Sequence, residues 1–209
     1  MEAILHGFIL ALGLILPLGV QNVFIFNQGA TQTRFSHALP AIITASICDT
    51  ILITLAVTGV SVIVLSFKIL QNLLWVAGFF FLAYMGWVMW RTSPELKGEQ
   101  QDNRFSGMRQ ITFAASVSLL NPHAIMDTIG VIGTSSLAYA GAQKWVFTMA
   151  CIVVSWIWFF SLAIAGRKVG KLASGGMLLK RLNQISAIII WGMAVYMAYQ
   201  LISVYFQQV

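Results

Sequence analysis

Charge is what this sequence has least of. Its 209 residues include twelve Lys and Arg and six Asp and Glu, only 9% of the chain, while 59% are hydrophobic. An ordinary soluble domain is about 25% charged. Mean hydropathy is +0.85. So few charges cannot cover a soluble globule this apolar, which excludes a soluble enzyme, a nucleic-acid binder and a disordered chain. Cysteine is nearly absent too. Cys48 and Cys151 lie inside apolar runs without CxxC or metal-ligand spacing, and read as small buried hydrophobes. No HExxH, GxSxG or phosphate-binding loop occurs, so nothing points to a catalytic constellation. Neither Asp49 nor Asp127 has the GxGD-like context of an intramembrane protease. No clustered ligand set suggests a metal, and no cofactor is expected. The amino terminus carries Glu2 rather than a basic cluster, and its apolar stretch is too long for a cleavable signal.

Long apolar runs are what the sequence does have. About 20 apolar residues span a bilayer as a helix. Six runs qualify: Ala3–Gln28, Leu39–Leu65, Leu70–Trp90, Ile111–Leu137, Trp145–Gly166 and Ile185–Phe206. The short alternating segments of a barrel are missing. The expected fold is an all-α membrane protein of six transmembrane helices. Trp75, Trp87, Trp90, Trp145 and Tyr205 fall near run ends, where amphipathic rings prefer to sit. Links are short except Arg91–Gln110, the one strongly polar stretch, and Arg167–Gln184. Lys and Arg set orientation. Arg34, Arg91, Lys97, Arg104, Arg109, Arg167, Lys168, Lys171, Lys180 and Arg181 all lie in the first, third and fifth links. Lys68 and Lys144 lie on the other side. The ten-to-two bias places those three links in the cytoplasm and both termini outside. The basic residues therefore read as topology signals, not as a nucleic-acid surface.

The two halves of the chain echo each other. Pro17-Leu-Gly-Val-Gln-Asn22 and Pro122-His-Ala-Ile-Met-Asp127 both place Asn or Asp five residues after a proline, at an offset of 105. Ala83-Tyr-Met-Gly-Trp87 likewise resembles Val195-Tyr-Met-Ala-Tyr199. A repeat of three spans is odd, so its copies must be inverted. Such 3+3 inverted repeats recur in secondary transporters. The expected organisation is a first repeat in residues 1–90, a charged link in 91–110 and a second repeat in 111–209, with helices 1 and 4 broken.

Polar residues inside the runs mark the expected site. Pro17 lies roughly 20 Å into its run at the helical rise, and Pro122 at a similar depth. A proline there removes a backbone donor. Asn121 before Pro122 suits a helix restart, with Asn as N-cap and Pro next. Gly19 gives the first run comparable backbone freedom. Restarted helices would aim free N–H groups at an anion such as a carboxylate. Asp127 and Asp49 are costly acids deep in spans, about 2.5–3.5 kcal/mol each on the insertion scale. His123 precedes Asp127 by four residues, on one helical face. Thr44, Ser46 and Thr50 could share the hydrogen bonding of Asp49. Gln21, Asn22, Asn27 and Gln28 form an amide group able to bind amino-acid-like ligands, with Asn27 and Gln28 better read as marking a helix end. His6 and His37 read as incidental. Trp156–Phe160 reads as lipid-facing or core packing.

Leu16-Pro-Leu-Gly-Val-Gln-Asn-Val-Phe-Ile-Phe-Asn-Gln-Gly29 resembles the first-span signature of the lysine/arginine exporter family. Leu120-Asn-Pro-His-Ala-Ile-Met-Asp-Thr128 resembles its fourth-span signature. The resemblance covers the whole chain. It implies export of amino acids, chiefly arginine and lysine, across the cytoplasmic membrane, driven by electrochemical gradients. The homoserine/threonine branch carries Pro-Gly-Pro and Asn-Pro-Lys instead, so Gln21, Asn22, His123 and Asp127 fit the basic-amino-acid branch. Val20 departs from the proline common there. The expected site is thus Pro17, Gly19, Gln21, Asn22, Asp49, Asn121, Pro122, His123 and Asp127. Its partners are an amino-acid substrate, a coupled ion with the proton as candidate, the lipid bilayer and a possible second copy of the chain. A neutral amino-acid exporter, a cation-efflux protein and a membrane-embedded enzyme are the alternatives.

Overall fold

The computed structural model describes residues 1–16, 19–59, 68–91, 105–172 and 176–206. Among these, all regular structure is helical. The first run is two helices, α1 (Glu2–Ile15) and α2 (Val20–Thr31), bent by 81°. The expected break is therefore present, although Pro17 lies outside the described residues. Gly19 is the extended N-cap of α2, with φ −80° and ψ 172°. Helix α3 (Leu39–Thr58) stops at Gly59, whose φ of 80° is the left-handed conformation glycine adopts freely. Residues 60–65 of the expected second run lie outside the description. Helix α4 is Lys68–Arg91.

The fourth run is broken as well. Helix α5 (Gly107–Leu119) is capped by the Ser106 hydroxyl, which accepts from the Arg109 N–H at 3.4 Å. Asn121 then precedes α6 (Pro122–Asp127), with Pro122 at its first position. A π turn (Thr128–Gly133) and a 3-10 turn (Ser136–Ala138) follow. The last helices are α7 (Gly141–Leu172) and α8 (Gly176–Phe206). Both run into the expected link Arg167–Gln184, which contracts accordingly. Lys and Arg are good helix formers, and their long stems let a helix continue past its apolar part.

Among the described residues, Phe35–Thr58 and Gly141–Lys171 are each long and apolar enough to cross a membrane, and the bent α1–α2 pair is so only if its two helices are counted as one span. Val76–Arg91, Ala124–Ala138 and Asn183–Tyr196 are shorter apolar helical stretches. The molecule is a membrane protein by this measure.

Helix association in lipid depends on close packing rather than on hydrophobic burial. The α2–α7 seam shows it. A Cβ at Gly29 would collide with the Ala163 backbone, one at Gly166 with the Phe26 carbonyl, and one at Gly170 with the Ala30 carbonyl. Gly133 of the π turn sits against the Ala56 carbonyl of α3, at 3.2 Å from an added Cβ. α7 carries both α1 and α2, α3 carries α5 and the π turn, α4 lies along α8, and α3 meets α7.

Candidate functional site

The two breaks face one cavity of about 290 Å³. Gly19, Gln21 and Asn22 reach it from α2, Asp49 from α3, and Asn121 and Asp127 from the second break. Six of the nine expected site residues thus converge. Of the other three, Pro17 lies outside the description. Pro122 and His123 form the first turn of α6, and their side chains lie outside it, as does the expected His123–Asp127 pairing.

The first break is held by its own residues. Asn22 Nδ2 donates to the Ile15 carbonyl at 2.6 Å. Ile15 ends α1, so its carbonyl has lost its helical partner. Gly19 has no side chain with which to cap α2, and the first-turn N–H groups of α2 begin beside the cavity. The second break differs from expectation. Asn121 occupies the N-cap backbone position, but its side chain makes no capping bond. Its Oδ1 is buried without a hydrogen-bond partner. The amide lines the cavity instead of capping the helix.

Asp49 does not rely on the hydroxyls expected to serve it. Thr50 Oγ1 donates to the Ser46 carbonyl at 2.8 Å, and Ser46 Oγ is buried without a partner. The Thr50 hydroxyl thus closes on its own helix, a common local bond for Ser and Thr. Asp49 is met instead by Gln21 Nε2, at 3.4 Å.

Asn27 and Gln28 do lie in the last turns of α2, as expected, and they are also packed inside, being 1% and 2% exposed. Asn27 Nδ2 donates to Asn183 Oδ1 of α8 at 2.7 Å, and Gln28 Oε1 accepts from Gln32 Nε2 at 3.1 Å. The backbone of the 35–38 turn takes part: Gln110 Nε2 donates to the His37 carbonyl at 2.9 Å and to that of Phe105 at 3.0 Å. His6 is not among the residues lining the cavity, and its Nδ1 lies 2.8 Å from the Tyr139 hydroxyl. Trp156–Phe160 packs as expected, with Phe159 in the core and Ile157 exposed, and it also reaches the site. Ser155 and Phe159 line the cavity, and the indoles of Trp156 and Trp158 bond to Thr50 and Asn22. The signal that could have found them is the indole N–H itself, which needs a partner in an apolar span.

Eight of the eighteen residues of the cavity wall fall into four pairs at nearly one spacing. Gly19 and Ala124 line it at an offset of 105, as do Asn22 and Asp127. Asp49 and Ser155 do so at an offset of 106, as do Ile53 and Phe159.

A family model described as LysE type translocator matches residues 12–201. The chain belongs to the LysE type translocator family. This LysE-type chain is 57% identical over 94% of its length to "Putative amino-acid transporter YisU" of Bacillus subtilis, covering 89% of that protein. It is 31% identical to the arginine exporter protein ArgO of Serratia proteamaculans, over 94% of the chain and 96% of that protein. The ArgO of Pectobacterium carotovorum is 30% identical, over 93% and 95%. No solved structure matches. The family and the apolar helices make the chain a membrane-embedded amino-acid transporter.

Proposed function

We propose that the chain exports arginine or lysine from the cytoplasm and that the cavity is its substrate site. The observation that carries this reading is the wall itself, which includes two acids, Asp49 and Asp127, and no Lys or Arg. A basic amino acid brings two cations and one carboxylate. The acids are proposed for the cations, or one of them for a coupled proton. The first-turn N–H groups of α2, at the positive end of its dipole, are proposed for the carboxylate. The broken segment at Asn121, Pro122 and His123 completes the second side. A cavity of about 290 Å³ sits at the small end of ligand sites, which span roughly 300–1,000 Å³. Two relatives are named arginine exporters, while the name of the 57% relative gives no particular amino acid. Among the described residues no three His, Cys, Asp or Glu side chains come together, so a cation-efflux reading has no ligand set there to rest on.

Six spans in a 3+3 inverted repeat complete the proposal. Exchanging the first run with the fourth, the second with the fifth and the third with the sixth maps α1 and α2 on α7 onto the fourth run on α3. The same exchange maps α4 on α8 and α3 on α7 onto themselves. The paired offsets of the cavity wall support the same relation. Rocking of the repeats about the cavity would give alternating access.

Efflux of labelled amino acids from preloaded proteoliposomes tests the function. Arginine and lysine should leave faster than threonine, homoserine and leucine. Preference for a neutral substrate would assign the chain to a different exporter specificity.

A further inference from the structure

Helix α7 turns one stretch to the cavity, with Ser155 and Phe159 on the wall one helical turn apart. Trp156 and Trp158 flank that face and point different ways. The Trp158 indole N–H donates to Asn22 Oδ1 at 3.2 Å, and that of Trp156 to Thr50 Oγ1 at 3.1 Å. Each acceptor is committed elsewhere as a donor: Asn22 to the Ile15 carbonyl at 2.6 Å, and Thr50 to the Ser46 carbonyl at 2.8 Å. Each indole therefore ends a short relay into backbone. One relay ties α7 to the broken first run. The other ties α7 to α3.

The chain neighbours of these two acceptors are Gln21 and Asp49. They meet each other at 3.4 Å, beyond the usual 2.7–3.2 Å of an N–H···O bond. A bond that long is weak and readily exchanged for a stronger donor, such as an ammonium or guanidinium. We propose that Trp156 and Trp158 are positioning residues that set the gap between Gln21 and Asp49, and so fix the affinity for the substrate's cation. The inference rests on the proposed role of Asp49 in binding that cation. The ring of Trp156 stacks on Phe160, with centroids 6.5 Å apart and planes at 18°. A phenylalanine at 156 leaves a ring to face Phe160 but loses the N–H and part of the indole's packing surface, which is why Thr50→Val, with the indole intact, is the matching control.

Concentration-dependent efflux of labelled arginine from proteoliposomes tests this. Trp156→Phe and Trp158→Phe should each raise KM about fivefold, the loss of one hydrogen bond, with the maximal rate and membrane abundance held. Thr50→Val removes the acceptor and leaves the indole, so it should give the same rise. Combined with Trp156→Phe it should add nothing further. Trp145→Phe, at a residue 54% exposed, should leave KM unchanged. An unchanged KM in the Trp156, Trp158 and Thr50 variants overturns the inference, as does loss confined to abundance. If wild-type protein exports no basic amino acid, it is the substrate reading that fails, and the same KM comparison on the amino acid it does export decides the positioning role.

Discussion

Asp127 and Asp49 reach the cavity from different helices and in different company. Asp49 has Gln21 opposite it. Asp127 stands at the end of α6, where the helix loosens into a π turn, and π turns frequently mark functional positions. Asp127→Asn keeps size and hydrogen bonding but carries neither charge nor proton. It should cut arginine efflux by about 10- to 100-fold, the range for one charged hydrogen bond. Membrane abundance should hold, because the residue costly to insert is gone. Efflux assays at matched abundance check this, and wild-type rates across the pH range would leave Asp127 a structural role. Single residues were legible where burial of charge made them costly. The partner of Asn27 was not, because an amide in a sequence looks alike at a helix end and in a buried interhelical bond. Only packing shows that Asn27 meets Asn183, which lies in the opposite half of the chain.

At the scale of elements, the breaks were readable and the seams were not. Proline, glycine and Asn-Pro have local backbone consequences, so 16–19 and 120–121 could be marked as interruptions from their own chemistry. Close helix approach depends on which glycine faces which neighbour, and that is decided by distant parts of the chain. Two glycines separate these roles. A Cβ at Gly166 would run into the Phe26 carbonyl, whereas one at Gly19 meets nothing within 4 Å, and Gly19 has a φ of −80° that alanine shares. Gly166→Ala should force α2 and α7 apart and cost about 1–3 kcal/mol, as overpacking does. It should appear as a lower melting temperature and lower abundance in the membrane. Gly19→Ala should melt like wild type and instead export more slowly, because its methyl group enters the cavity. Equal thermal stability of the two variants would remove the seam as a stabilising contact.

For the whole molecule, two properties decide the proposal: which way it faces, and whether its halves are related. Ser106 is exposed, and both native cysteines are buried, so Ser106→Cys offers a tag with little background. Positive charge gathered on the odd-numbered links predicts labelling from the cytoplasmic side alone. Labelling by an impermeant reagent added outside intact cells would reverse the orientation. The relation between halves can be tested at the cavity. Asp49 and Ser155 line it from α3 and α7, helices that would exchange places in an inverted repeat. Ser155 spends its hydroxyl locally, on the Ile152 carbonyl at 3.1 Å, so its replacement breaks no bond between helices. Asp49→Ser should reduce arginine efflux to near background. Adding Ser155→Asp returns one carboxylate to the same cavity from the related position, with one buried acid removed and one gained. The double variant should recover about a tenth or more of wild-type efflux, with a raised KM, because the new acid lacks the alignment that Gln21 and Trp156 give Asp49. Recovery would show that charge in the cavity, supplied from either half, is what recognises the cation. No recovery at wild-type abundance would mean that the two positions, though they share one wall, do not share one role, and the repeat would then describe the packing without describing the transport.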